Sequence, residues 1–151
     1  MYTDTVTIFN RKKGSRGQGD MWYPSVLHNV NLNVDKASIL AKYGADASDN
    51  AVLNVRYHID GEKKMVGERQ WLPPKVWQQV NDLAAALTFA DGETFDFFWF
   101  GEWSGGVASD ADYEEFSSFY DFMNRTYDGV FAVTKVAGPY SVIPHFEIVG
   151  K

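Results

Sequence analysis

The order of apolar and polar positions already divides the chain into elements. Thr3 to Asn10 alternates, with Val6 and Ile8 on one side and Thr5, Thr7 and Phe9 on the other, which predicts a β-strand. Arg11 to Asp20, rich in glycine and cations, predicts a hairpin tip or loop. Alternation resumes in MWYPSVLHNVNLNV at Val30, Leu32 and Val34, a second strand in which Pro24 predicts an edge position or a bulge. KASILAKY fits neither period clearly, and GADASDN reads as a polar connection. Ala51 to Ile59 is the clearest strand of the first half. Asp60-Gly61 closes it with a pair suited to a type I′ turn, so Lys63 to Val66 returns as its partner.

After Pro73-Pro74, the residues Val76, Trp77, Val80, Leu83, Ala84 and Leu87 fall at helical spacing and predict a helix of roughly three turns. Asp91-Gly92 marks a turn before TFDFFWFGEW, whose continuous aromatic run predicts a strand covered on both faces or lent to a partner. Tyr113, Phe116, Phe119, Tyr120 and Met123 sit on one helical face, with Asp110 or Asp112 as the cap. GVFAVTKV and YSVIPHFEIVG are two β-rich runs that close the chain as a hairpin joined around Gly138-Pro139. About seven strands and two short inserted α-helices emerge, without a repeat or a linker. The expectation is one mainly β domain over residues 1–151, an antiparallel β-barrel or sandwich.

Composition narrows the function classes. With 45% hydrophobic and 23% charged residues the chain suits a folded core rather than disorder. It has no cysteine, which removes disulfides, thiol nucleophiles and cysteine-held metals and fits a cytosolic product. No run is long enough to span a bilayer, so no membrane association is expected. The net charge of −6 argues against specific nucleic-acid binding. That charge is uneven: residues 76–124 contain 10 acidic residues and no Lys or Arg. Within that zone Asp110, Asp112, Glu114 and Glu115 predict an acidic patch. Aromatics are abundant, and 14 of the 24 lie between Phe89 and Phe131. They are either a Phe-rich core or an interface ringed by carboxylates, with Trp99, Phe100, Trp103, Phe119 and Tyr120 as candidate anchors.

No motif for catalysis stands out. Asp91, Glu93, Asp96 and Glu102 are the carboxylates nearest the aromatics, and a hydrolase built on Glu93 and Glu102 is the weakest reading. Counted from Asp110, a calcium loop would need glycine where Glu115 stands and glutamate where Asp121 stands. His28, His58 and His145 lack any metal-ligand spacing, and Ser104 in GEWSGG is not a nucleophile elbow. No cofactor, no metal and no enzymatic activity are expected.

DTVTIFNR, LNVDKASILAKYGADASDNAVLNVRY, WLPPKVW, FDFFWFGEW and GPYSVIPHFEIVGK together resemble an uncharacterised family of small proteins encoded among structural genes of tailed phages and prophages of Gram-positive bacteria. More loosely, the early strands and the closing hairpin are similar to small minor capsid and head–tail joining proteins, β-barrel connector subunits that assemble as rings. The helices and the FDFFWFGEW run have no counterpart there. The resemblance implies a virion component, synthesised in the host cytoplasm. Its partners would be portal, connector or tail subunits and further copies of itself in a homo-oligomeric ring. An acidic lumen would let packaged DNA pass without sticking. The alternative expectation is a carbohydrate-binding β module that stacks sugars on Trp99 and Trp103.

Overall fold

A computed structural model describes residues 2–34 and 51–151. The sequence alternation becomes eleven strands among them: β1 (Asp4–Lys12), β2 (Met21–Val34), β3 (Ala51–Arg56), β4 (His58–Asp60), β5 (Lys63–Val66), β6 (Arg69–Trp71), β7 (Ala86–Leu87), β8 (Phe97–Trp99), β9 (Ala108–Ser109), β10 (Val130–Tyr140) and β11 (His145–Gly150). Six of them run β1-β8-β10-β11-β3-β2 with every pair antiparallel, and β1 pairs with β2 to close the circle. The fold is therefore a barrel and not a sandwich; closure leaves these strands no free edges over their paired lengths. β9 adds to β2, and β4-β5-β6-β7 form a smaller sheet whose last pair is parallel.

Alternation decides which side chains fill the barrel. Val6 and Ile8 of β1, Leu53 and Val55 of β3, Phe98 of β8, Phe131 and Val133 of β10, and Phe146 and Ile148 of β11 are buried together. The small sheet packs onto this core. Phe146 meets the rings of Trp71 and Phe89 at 5.0 and 5.1 Å, and Val66 and Leu87 join the same cluster. Gly150 has to be glycine because a Cβ there would come within 2.9 Å of the Phe98 and Phe131 side chains.

Several expectations change on folding. Ala51 to Ile59 is two strands, broken at buried Tyr57, whose N–H donates to Pro144 O at 3.3 Å. Asp60 pairs with Lys63, so Gly61 and Glu62 form the turn, and only Gly61 has positive φ (64°). That is the pattern of type II′ rather than type I′. The three-turn helix after Pro73-Pro74 is a single turn, α1 (Pro74–Trp77). Leu87 is used instead as a strand residue paired with Trp71, and Leu72 N–H donates to Leu87 O at 2.9 Å. The second helix begins later than the aromatic spacing predicts. A 3-10 segment, Asp110–Phe116, gives way to α2 (Phe119–Thr126), which Ser118 caps by accepting from Asp121 N–H at 3.0 Å. Between them Ser117 takes φ 71°, which breaks the continuous helix. KASILAKY and GADASDN lie outside the described residues.

Candidate functional site

The aromatic zone assembles on the outer face of β1, β8 and β10. β8 is covered on both faces, as its unbroken apolar run predicts: Phe98 points into the barrel, while Phe97 joins Phe9, Trp22, Ala108, Phe119, Met123 and Val130 in a second core under α2. Phe9 and Phe97 stack at 4.7 Å, and Phe119 meets Phe9 edge-on at 5.3 Å. Phe119 is fully buried there. It is a core residue and offers no surface to a partner, which corrects its assignment as an anchor. Helical spacing marks the apolar face of a helix, but not what that face packs against.

The other four anchors remain at least partly accessible. Phe100 is 52% exposed, while Trp99, Trp103 and Tyr120 are half-buried. Tyr120 packs against Phe95 and Phe97 at 5.0 and 5.1 Å. The two tryptophans share a local device, Trp-x-Gly, written twice in WFGEWSG. A Cβ on Gly101 would lie 2.6–2.7 Å from three atoms of the Trp99 indole. One on Gly105 would approach the Trp103 indole to 2.6 Å. Points that close to several ring atoms at once lie over the ring face, so each glycine covers one face of its tryptophan. Trp99 further meets Tyr127 at 5.1 Å, and Trp103 meets Phe119 at 5.4 Å.

The acidic patch separates into two kinds of residue. Asp110 is structural: Oδ1 accepts from Trp22 Nε1 at 2.7 Å and from Phe119 N–H at 2.8 Å, joining the buried indole to the start of α2. Asp112, Glu114 and Glu115 are exposed along the 3-10 segment. Glu93 and Glu102 are both exposed and stand before and after β8, at opposite ends of that strand. Among the described residues no group of three or more His, Asp or Glu side chains converges on a point that would hold a metal ion. No helix among them is long and apolar enough to cross a membrane.

Asp96 is different from the other carboxylates. It is buried, and its oxygens accept from Asn10 Nδ2 at 2.8 Å, Arg11 N–H at 2.8 Å and Ala90 N–H at 2.9 Å. Burial pushes its pKa up to about 7, against the pull of those donors and of the Arg11 charge. Asn10 also donates to Thr88 O at 2.7 Å, so one buried network ties β1 to the segment before β8. The Arg11 guanidinium lies 4.5 Å from the Trp22 ring and 4.6 Å from that of Phe95. Enclosed by backbone donors, Asp96 is built to hold the fold together and does not reach an open surface.

The feature that sequence reasoning missed is the tip of the β10–β11 hairpin. Val142 is 83% and Ile143 72% exposed, the two largest values for large apolar side chains among the described residues. The tip is pinned from behind. Tyr57 Oη donates to Tyr140 O at 2.7 Å, the Tyr140 and His145 rings stack at 4.9 Å, and His145 Nδ1 lies 2.6 Å from Ile143 O. Ile143 takes φ 50°, a left-handed conformation that a β-branched residue rarely adopts. A signal was present in the sequence: YSVIP places adjacent Val and Ile at a turn, where polar residues are usual.

No curated protein and no solved structure matches the chain. A family model does match, over residues 1–151 and so through the barrel, the aromatic band and the hairpin tip alike. The chain belongs to the family of unknown function DUF6751.

Proposed function

We propose that this protein is a non-enzymatic assembly subunit that works by protein–protein contact, in the head–tail region of a tailed phage or prophage particle. The contact mode rests on one observation, the exposed Val142–Ile143 pair on a pinned hairpin tip. Exposed apolar side chains lose little by waiting in water and gain about 1.5–3 kcal/mol each on full burial in a partner's pocket. A backbone held at positive φ at Ile143 costs ~1–3 kcal/mol and persists only where surrounding contacts enforce it, which suits a presented contact better than a slack turn. The band of exposed Phe100 and half-buried Trp99, Trp103 and Tyr120 supplies a second surface for neighbouring subunits. The virion setting rests on the resemblance of the sequence to phage structural proteins.

Peptide mass spectrometry on gradient-purified tailed particles from the source strain tests the setting. The chain should appear at a low, fixed ratio to the major capsid protein; its absence from well-covered particles overturns the virion reading. A Val142→Ser, Ile143→Asn double variant should fold normally and fail to enter particles. Normal incorporation of that variant removes the tip from the mechanism. The carbohydrate alternative needs an open indole face; glycine covers one face of both Trp99 and Trp103, so a sugar would have to stack on the other. Saturable heat in a glycan titration would support that reading over the assembly one.

A further inference from the structure

β2 pairs with β1 from Met21 to Val30, yet on its other side it meets β9 only at Met21 and Trp22 and β3 only from Asn31 onward. Between those two contacts its far side pairs with no other strand among the described residues. Pro24 sits in this gap with no N–H to waste, and a bulge at the β1 register shift turns Asn29 to φ 56°. The gap opens on a cleft of about 700 Å³, walled by β2, the end of β3, the β5–β6 turn and the loop around Trp103.

Two guanidiniums line this cleft. Arg69 Nη1 donates to Pro24 O at 3.0 Å and to Ser25 Oγ at 2.7 Å, which anchors the side chain and leaves its Nε and Nη2 donors without a protein acceptor among the described residues. Partial burial lowers the Arg69 pKa by desolvation. Arg56 lies 3.8 Å from the Tyr2 ring. Neither arginine is within ion-pair distance of a carboxylate among the described residues, although Glu68 lines the same cleft. His28, also in the wall, has Nδ1 3.2 Å from Thr5 Oγ1, with Nε2 unengaged among the described residues. A desolvated cation without a counter-charge costs free energy that a bound anion returns. The guanidinium fork matches carboxylate and phosphate oxygens.

We propose that this cleft is a binding site for a small oxyanion-bearing molecule, a phosphate or a carboxylate, with Arg69 as the principal ligand, Arg56 as the second, and Leu27 and Trp103 as the apolar wall. The site lies apart from the hairpin tip and does not depend on the assembly reading.

The test is calorimetric titration of the full chain with inorganic phosphate and, separately, with citrate. At least one should bind saturably at one site, and which one does identifies the oxyanion. Arg69→Gln should weaken binding at least tenfold and Arg56→Gln several-fold. Lys135→Gln, an exposed charge on β10 outside the cleft, should leave it unchanged. No saturable binding of either anion overturns the proposal, as does equal weakening in the Lys135 variant, which would mark general charge attraction. Should Arg69→Gln fail to fold, the comparison of Arg56→Gln with Lys135→Gln decides by itself.

Discussion

Asp96→Asn separates the two forces acting on the buried carboxyl. Burial pushes Asp96 from the ordinary 3.8 up to about 7. In the window between those values the folded state holds a proton that the unfolded chain has released, so stability falls as pH rises. The contribution is fully present below about pH 4 and lost above about pH 7, and a difference of that size is worth ~4 kcal/mol. Asparagine does not titrate. It also turns an NH2 group toward one of the N–H donors from Asn10, Arg11 or Ala90, a constant loss at every pH. The informative quantity is therefore the stability of the natural chain minus that of the variant, measured by urea unfolding at about pH 4 and pH 8. It should fall by ~4 kcal/mol across that range. An unchanged difference, or one that grows with pH, refutes the reasoning; growth would mean that the three donors and Arg11 outweigh desolvation and hold the carboxylate ionised.

Three further outcomes follow from single contacts. Asp110→Ala strips the acceptor from Trp22 Nε1 and Phe119 N–H and should cost ~3 kcal/mol in urea unfolding, whereas neutralising exposed Asp112, Glu114 or Glu115 should change stability by less than ~0.5 kcal/mol. Gly101→Ala drives a methyl into the Trp99 ring and should shift the tryptophan emission and lower the melting temperature, with ~1–3 kcal/mol lost to overpacking. Thr88→Val replaces a buried hydroxyl that has no hydrogen-bond partner among the described residues, so thermal unfolding should show it neutral or stabilising, and a clear loss of stability would reveal a partner for that oxygen.

Local patterns in the sequence carried the strands well. The alternation of β1, the edge position of Pro24, the two-sided burial of FDFFWF and the closing pair of strands all appear in the structure, because a period of two depends only on neighbouring residues. The hairpin turns at residues 141–144, however, and Gly138-Pro139, the expected joint, lies inside the first of its strands. The helices were less legible. Val76, Trp77, Val80, Leu83 and Leu87 have helical spacing, but the backbone of Leu87 gains more from pairing with Trp71 and Leu72, a partner that no local window contains.

The candidate sites divide the same way. Composition and alternation alone establish a mainly β chain with an aromatic surplus, an acidic middle and no thiol chemistry. It takes the folded chain to show that Phe119 is core, that Asp110 is a half-buried tether, and that Arg56 and Arg69 line one open stretch of β2. Apolar character and charge are properties of a residue type, legible from one letter. Which face is covered and which charges share a cleft depend on contacts between residues far apart in the chain, and these exist only once the barrel has closed.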